Sequence, residues 1–457
     1  MSIHNLYNRS YKSYVRDNET LELLNIIILS VAVGTFLFAA MGGAAFAGLA
    51  SALGAGEFAF GLISALPVLA SLLQILASYL VEKTGKLKVM FLAGGVVQRV
   101  AWFTVAFIPY VFTGTSPRVL ALIVLVTLAA MGGSFVGITH MTLMAAVVPG
   151  EVRGRYITIR QRISIFVSLF AGLCIAFILD RIPGFLGFTI VFAFGGIAGL
   201  IDILMYAKYR FPEKKPNNTA FNLAKNIKII FTAVRTKNYF IFWIVWGFIV
   251  NLSAPFFMKY AIDVLELSFL SIIFFGQVTA NMIALFIVSR WGVLIDRYGS
   301  VAIMFISAMM STVGVSVWIF AEPGVVLSLF LFNFIGGLFW CANDACMVNM
   351  QLSHVPEIGR PVTLAIYAVA TSVATAAAFI TGGAVLEVLS PIMANLNLTV
   401  FGTPFDHYKV LFAFTFFLRF VVVIIFLPRV WNEKGLTLRE TYALMFTNFK
   451  KKIRRRV

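Results

Sequence analysis

Long apolar stretches separated by short polar segments recur along the whole chain. A helix needs roughly 20 apolar residues to cross a bilayer, and twelve stretches meet this length. Because backbone groups in lipid must be hydrogen-bonded within the segment, and these runs are too continuously apolar for barrel strands, they predict transmembrane α-helices. We number them spans 1 to 12; they lie near residues 21–48, 58–81, 89–113, 119–147, 156–181, 184–209, 238–262, 268–292, 300–321, 324–352, 360–387 and 408–428.

The overall composition strengthens this interpretation. Hydrophobic residues make up 60% of the chain, charged residues only 12%, and the mean hydropathy is +0.94. A soluble protein carries about 25% charged residues, so the composition excludes that class. The first stretch is longer than the apolar core of a secretory signal, about 7 to 15 residues, so we expect it to remain a membrane helix. The predicted fold class is an all-α integral membrane protein.

Lysine and arginine concentrate in alternate loops, between spans 2 and 3, spans 4 and 5, and spans 6 and 7. The positive-inside rule therefore predicts a multi-pass protein of the cytoplasmic (inner) membrane with both termini in the cytoplasm. The net charge of +17 belongs mostly to this face. It is better explained by topology and by contact with anionic membrane lipids than by nucleic acid, for which no basic stripe with interleaved aromatic residues is present.

The chain divides near the middle at a segment rich in proline and charge. Residues 210–237 begin with Pro212 and Pro216 and continue with an amphipathic pattern, which predicts a cytosolic linker carrying a helix on the inner membrane surface. The last residues repeat that pattern ahead of a basic run. The predicted domains are a cytosolic N-terminal segment (1–20), a six-helix bundle (21–209), the linker (210–237), a second six-helix bundle (238–428) and a basic amphipathic cytosolic tail (429–457).

A polar sequence motif, called the polar line below, occurs twice, once after the second span of each bundle. The first copy, SYLVEKTGKLKVM, starts at position 78 and the second, GVLIDRYGSVAIM, at position 292, 214 residues later. A second correspondence, at an offset of 204, aligns Met131-Gly132-Gly133 in span 4 with Ile335-Gly336-Gly337 in span 10. Parallel repeats related by an axis along the membrane normal are a transporter architecture.

The second copy has the form G-x-L-x-D-R-x-G, which resembles the signature loop of the major facilitator superfamily. The matching residues are Gly292, Leu294, Asp296, Arg297 and Gly299. The first copy keeps Leu80 and Gly85 but has Ser78, Glu82 and Lys83 at the remaining three positions. The resemblance implies two pseudo-symmetric six-helix bundles that act together as a secondary transporter, which we expect to be a monomer.

We hypothesise that this loop closes an inner gate in each half. An acid at a cytosolic turn can face the positive N-terminal end of another helix. Glu82 would then meet the Arg360 end of span 11, and Asp296 would meet the Arg155 end of span 5. The alternative is that these charges only set topology and tight turns.

Ionisable residues at membrane depth are costly and tend to be functional. His140 in span 4 and Asp344 in span 10 correspond at the offset of 204, and the family resemblance implies that spans 1, 4, 7 and 10 line the central cavity. We therefore predict that this pair binds the solute or a coupling proton. The alternative is a static buried pair, or a water-exposed histidine with the acid bound to backbone.

Aromatic and amide side chains on spans 7, 8 and 10 are candidates for the walls of the cavity: Trp243, Trp246 and Asn251; Gln277 and Asn281; Asn333 and Trp340. Such faces suit a polar organic solute or an amphipathic cation better than an inorganic ion. Packing or interface roles remain open for each of them.

Two further sets of charges fall inside spans. Arg99 in span 3 and Asp202 in span 6 are predicted to form a structural ion pair. Arg419 in span 12 has no partner that the sequence identifies, and snorkelling towards the interface remains open. The three cysteines lie in spans with no disulfide or metal-ligand spacing, and we expect no bound metal.

The sequence favours a secondary active transporter of a small organic solute that needs no cofactor and works by rocker-switch alternating access, with proton coupling as a hypothesis. No phosphate-binding G-x-x-x-x-G-K-[ST] loop is present, which argues against ATP-driven transport by this chain. Efflux of amphipathic compounds or lipids by the same fold is an alternative. So are a polytopic membrane enzyme, which would need clustered catalytic groups that we do not find, and a non-transporting sensor.

Overall fold

The computed structural model describes residues 18–148, 153–211, 234–354, 360–396, 398–400, 403–432, 435, 439–443 and 447. Within these ranges, twelve helices are long and apolar enough to cross a membrane. Each overlaps one of the twelve predicted spans, and the span numbers are kept below.

Spans 1 to 6 are built as follows. Span 1 is Asn18–Met41, followed by a short helix, Gly43–Ala52; span 2 is Glu57–Ala70 continued by Leu73–Thr84; span 3 is Leu87–Val105, followed by Ile108–Val111. Span 4 is Thr115–Val147, span 5 is Arg153–Arg181 and span 6 is Phe185–Met205.

Spans 7 to 12 follow the linker. Span 7 is Val234–Asp263, and span 8 is Phe269–Ser271, a π-helical segment Ile272–Val278 and Thr279–Tyr298. Span 9 is Ser300–Ser316 with a 3₁₀ turn Val317–Phe320, span 10 is Leu327–His354 and span 11 is Arg360–Leu396. Two paired strands of two residues each, Thr399–Val400 and Thr403–Pro404, precede span 12. Span 12 is His407–Phe426, and a 3₁₀ turn, Leu427–Arg429, follows it.

Residue contacts divide the chain into two units, one of residues 1–220 with 268–270 and the other of residues 221–267 with 271–457. In the first unit, span 1 packs against spans 5 and 6, span 4 against spans 2 and 3, and span 3 against span 6. In the second unit, span 7 packs against spans 11 and 12, span 10 against spans 8 and 9, and span 9 against span 12. The same packing plan therefore recurs six spans later, as expected of a parallel repeat.

The first span is interrupted where the sequence predicts one continuous helix over 21–48. The helix ends at Met41 and resumes at Gly43, which has φ of +62°. A left-handed residue cannot continue a right-handed helix, and glycine adopts that conformation without a steric penalty. Hydropathy does not report this backbone angle, so the prediction of a continuous helix is wrong here.

Each unit has an apolar core rich in aromatic side chains. Leu24, Phe91 and Tyr156 belong to the buried core of the first unit, whereas Phe242 and Trp246 belong to that of the second. Close packing of long apolar helices against one another is what holds such bundles together, since lipid is as apolar as the side chains.

The predicted linker helix lies mostly outside the described residues, and so does most of the tail. Within the described part of the tail, the hydroxyl of Tyr442 donates a hydrogen bond to the carbonyl oxygen of Ala302 at 3.0 Å. Its ring lies 5.9 Å from that of Phe305. Burial raises the pKa of the Tyr442 hydroxyl, which indicates a tail segment packed against span 9.

Candidate functional site

A buried ion pair lies inside the first unit. The guanidinium of Arg99 is 2.8 Å from Oδ2 of Asp202, and the two side chains are 3% and 9% exposed. Arg99 also donates to Oε1 of Gln98 at 2.7 Å, and Ser30 hydrogen-bonds to the Asp202 carboxylate. The structure thus joins spans 3 and 6 through the two charges that the sequence analysis pairs.

Small and polar residues on span 1 make room for this pair. A Cβ built on Gly34 would lie 2.8 Å from Oδ2 of Asp202, so a larger residue there would displace the carboxylate. One turn earlier, the hydroxyls of Ser30 and Tyr206 are 2.6 Å apart. A charged pair in a bundle interior is stable only when such hydrogen bonds satisfy its remaining polar atoms.

His140 lies near this cluster, half-buried on span 4. Its ring stacks on Phe91 with centroids 6.2 Å apart, and Phe91 packs in turn against the ring of Tyr206 at 4.9 Å. The charges of Arg160 and Arg99 reach the histidine. Among the described residues, no hydrogen-bond partner is recorded for its ring nitrogens.

Arg160 of span 5 is a site residue that the sequence analysis missed. Its charge acts on both His140 and Asp202, and its Nε is buried with no hydrogen-bond partner in the described structure. The signal was available, because Arg160 falls inside predicted span 5, where an ionisable residue is itself a functional indicator.

Asp344 stands in a different environment, in the second unit. Its side chain on span 10 is exposed, and no ion pair or hydrogen bond joins it to another residue in the described ranges. Above it on the same span, Trp340 is half-buried against the core, while the amide of Asn333 donates to the Leu329 carbonyl at 2.8 Å. Asn333 is therefore partly satisfied by its own helix.

Spans 7 and 11 are tied together by two polar contacts. Nε1 of Trp243 donates to Oγ1 of Thr371 at 2.9 Å, and the amide of Asn251 lies 3.4 Å from Oγ1 of Thr375. Between these levels the two spans line an apolar cavity of about 520 Å³. Its lining residues are Ile244, Val245, Phe248, Ala370, Val373, Ala374 and Ala377.

The prediction that Trp246 of span 7 lines the cavity is wrong. Trp246 is 1% exposed and stacks on Phe242 with ring centroids 6.3 Å apart, so it belongs to the core. Gln277 and Asn281 of span 8 are exposed and lie one turn apart on one face. They can meet solvent or solute, whereas Trp246 cannot without repacking.

In both copies of the polar line, a glycine with positive φ ends the helix. The N–H of Gly85 donates to the Val81 carbonyl at 2.9 Å, and the N–H of Gly299 donates to the Ile295 carbonyl at 2.8 Å. Both glycines have positive φ, +67° and +89°. Glycine is the residue that adopts this angle readily, which explains its place in both copies.

The other glycine of the second copy has a different status. No described atom lies within 4 Å of a Cβ built on Gly292, so this glycine does not mark a close approach between described helices. Asp296 is exposed and Glu82 is half-buried. The side chains of their proposed gate partners, Arg155 and Arg360, lie outside the described residues, so the gate hypothesis stays a prediction.

The remaining polar residues of the line are near the surface. Ser78 is half-buried, the ammonium of Lys83 lies 5.7 Å from the centroid of the Tyr79 ring, and the guanidinium of Arg297 lies 5.3 Å from that of Tyr298. Cations over aromatic faces at these distances gain about 0.5 to 1 kcal/mol when exposed. These contacts orient the loop more than they stabilise the fold.

Arg419 does not snorkel. It is 4% exposed, and its guanidinium donates to the Val250 carbonyl at 3.0 Å and lies 3.5 Å from the hydroxyl of Ser253. The same hydroxyl is 3.2 Å from that of Thr415. Backbone and hydroxyl oxygens of span 7 therefore take the place of an acid.

The chain was compared with known families and structures. A sequence model described as the Major Facilitator Superfamily matches residues 27–291, more than half of the chain. No curated protein matches by sequence. In the described ranges, no group of three histidine, cysteine or acidic residues is arranged to hold a metal ion.

Several solved transporters have a similar fold. The nucleoside transporter NupG superposes with a TM-score of 0.65 at 14% identity, covering 90% of this chain and 99% of its own. The inward-open xylose transporter XylE from E. coli gives 0.61 at 16% identity, covering 93% and 99%. An occupied, inward-facing bacterial homologue of the human lysosomal transporter Spinster gives 0.66 at 10% identity, covering 91% and 97%. At these identities the likeness concerns the fold alone.

Proposed function

Because the chain belongs to the major facilitator superfamily, we propose that it is a secondary active transporter of a small organic solute, driven by protons that bind at Asp344. In this proposal the two bundles open the solute pathway to one side of the cytoplasmic membrane and then to the other by a rocker-switch motion, with both termini in the cytoplasm. No ATP is consumed, so the free energy comes from the proton gradient.

The observation that carries this proposal is the environment of Asp344. A carboxylate inside a span that has no cationic partner in the described structure is costly unless water or a ligand solvates it. The exposed side chain meets that requirement. A solvated acid at this depth can take up a proton from one compartment and release it to the other, or accept a hydrogen bond from the solute.

The solutes of the structural neighbours suggest where to begin. NupG is a nucleoside transporter and XylE a xylose transporter, and both solutes carry several hydroxyl groups. Exposed amides such as Gln277 and Asn281 can donate to and accept from hydroxyl groups. Sugars, nucleosides and their derivatives are therefore the first classes to test.

An amphipathic solute is the second candidate. The cavity between spans 7 and 11 is lined only by apolar side chains and is large enough, at about 520 Å³, for a drug-sized apolar group. In efflux, the apolar lining of this cavity would contact the amphipathic compound. In uptake of a polar solute, the same lining would contact only the less polar part of that solute.

The test uses purified protein in proteoliposomes, which are supplied with each solute class from outside and energised by an imposed pH gradient. Wild-type protein should accumulate at least one solute, and Asp344→Asn should abolish gradient-driven accumulation while keeping solute exchange without a gradient. Glu322→Gln, which alters an exposed acid between spans 9 and 10, is the control and should behave as wild type. Undiminished accumulation by Asp344→Asn would remove the acid from the coupling role.

A further inference from the structure

Arg160 lies on the inward face of span 5. Tyr156, one turn earlier, is fully buried, and its hydroxyl donates to the Leu24 carbonyl of span 1 at 2.8 Å. Residues four apart share a helix face, so Arg160 also points into the bundle. Arg162 follows two residues later, about 200° around the helix, and is exposed. Arg160 therefore faces the interior of the bundle, whereas Arg162 lies on its surface.

The level of Arg160 matches that of the buried ion pair. Spans 1 and 5 cross the membrane in the same direction, and the Tyr156 contact aligns them near their first turns. Arg160 lies about 6 Å beyond Tyr156 along span 5, and Ser30 lies about 9 Å beyond Leu24 along span 1. A guanidinium on its long stem thus reaches the level of Ser30, whose hydroxyl meets Tyr206 and Asp202.

The charges at this level do not balance. Asp202 is already engaged by Arg99 at 2.8 Å and by Ser30. Arg160 forms no ion pair with a described residue, and its buried Nε has no hydrogen-bond partner. A half-buried guanidinium with no acidic partner is costly, and an anionic ligand would offset that cost directly.

A second donor group lies close enough to feel the charge of Arg160. His140 is half-buried on span 4, held by stacking on Phe91, and no hydrogen-bond partner for its ring is recorded in the described ranges. An imidazole N–H on span 4 and a guanidinium fork on span 5 together match the oxygens of a carboxylate or phosphate. Neutral hydroxyl groups would leave the positive charge uncompensated.

We propose that Arg160 and His140 bind the acidic group, a carboxylate or a phosphate, of the transported solute. This inference rests on the transport function proposed above and narrows its substrate class to acidic organic solutes. A lipid headgroup has the same chemistry, but it would more readily meet the outward-facing Arg162.

Binding to purified full-length protein tests the inference with matched acid and neutral probes. The pairs are gluconate with glucose, ribose 5-phosphate with ribose, and glycerol 3-phosphate with glycerol, measured by calorimetry in detergent. At least one acid should bind about tenfold or more tightly than its neutral partner, since a charge-assisted hydrogen bond carries that much discrimination. Arg160→Gln should abolish the difference, and Arg162→Gln should keep it.

Arg160→Lys keeps the positive charge but loses the paired N–H groups of the guanidinium, so this variant should bind the acid with intermediate affinity. An intermediate affinity would show that the loss in Arg160→Gln is a loss of binding and not of folding. Gel filtration checks the folding of each variant in parallel. Equal binding of every acid and its neutral partner, no binding of any acid, or unchanged acid binding by Arg160→Gln would overturn the inference. Repeating the titration in nanodiscs with and without phosphatidylglycerol distinguishes a lipid site. Complete competition by that lipid through Arg160 would make the solute assignment wrong.

Counterflow in proteoliposomes separates this inference from the transport proposal. Exchange of a neutral solute that Arg160→Gln leaves unchanged would refute the acidic substrate class and leave the carrier function standing. Acid binding that depends on Arg160, without exchange of any solute, would leave the anion site standing and refute the carrier function.

Discussion

Replacing Asp202 with asparagine should destabilise the protein by about 3 kcal/mol. Breaking a buried ion pair by removing one partner costs about 3 to 5 kcal/mol, because the other charge stays buried and unpaired. Asparagine keeps the side-chain size and can still accept from Ser30, and Arg99 keeps its 2.7 Å bond to Gln98, so the lower end of that range applies. Removing the acid also increases the excess of positive charge at this level, to which Arg160 contributes.

The free energy of unfolding can be measured in mixed micelles, by titrating dodecyl sulfate into the detergent-solubilised protein and following tryptophan fluorescence. Asp296→Asn is the matched control, since it removes an exposed acid. It should change stability by less than about 0.5 kcal/mol. The double variant Arg99→Gln with Asp202→Asn carries no unpaired charge from this pair, so its loss should be smaller than the sum of the two single losses.

Two results would refute this reasoning. A loss below about 1 kcal/mol for Asp202→Asn would mean that the pair is solvated rather than buried. Additive losses in the double variant would mean that the two residues stabilise the bundle independently, so that the 2.8 Å contact carries no coupling.

The same unfolding assay checks two further predictions. Gly337→Ala should destabilise the protein by about 1 to 3 kcal/mol, because the new Cβ would lie 2.7 Å from the Ala280 carbonyl oxygen. The adjacent Gly336 has open space around it, so Gly336→Ala should stay within about 0.5 kcal/mol of wild type. Equal effects of the two substitutions would contradict the packing of span 8 against span 10. The free energy of unfolding of Arg419→Met should stay within about 1 kcal/mol of wild type. The cost of burying the Arg419 charge is about as large as the stabilisation from its hydrogen bond to the Val250 carbonyl, and both are lost in the variant. A loss of 3 kcal/mol or more, on the order of a broken buried pair, would instead reveal an ionic partner for Arg419.

The spans and their repeat could be predicted from the sequence because both depend on local composition. Bilayer thickness sets the length of each apolar run, and a helix satisfies its own backbone within that run. The turn glycines Gly85 and Gly299 are equally local, since a positive φ excludes most other residues. The family itself is confirmed by the match over residues 27–291, which includes the first copy of the polar line and ends just before the second.

The candidate site was predicted less completely. Arg99 and Asp202 could be paired because two opposite charges inside spans must find partners. Trp246 was misplaced because the rotation of span 7, which hydropathy does not fix, decides whether an indole faces a cavity or the core. Arg160 was overlooked although its place inside a predicted span marked it; only the structure shows that Asp202 is engaged by Arg99, which leaves Arg160 without an acidic partner among the described residues.

Hydropathy and backbone chemistry act over one helix at a time, so the order and number of the membrane helices follow from the sequence read residue by residue. Which charges meet, which stay uncompensated and which aromatic rings are buried depend on the rotation and packing of helices that are distant in sequence. Ser30 and Tyr206 are 176 residues apart along the chain and 2.6 Å apart at their hydroxyls. Contacts of that kind come only from folding, because close packing of six helices selects one rotation for each.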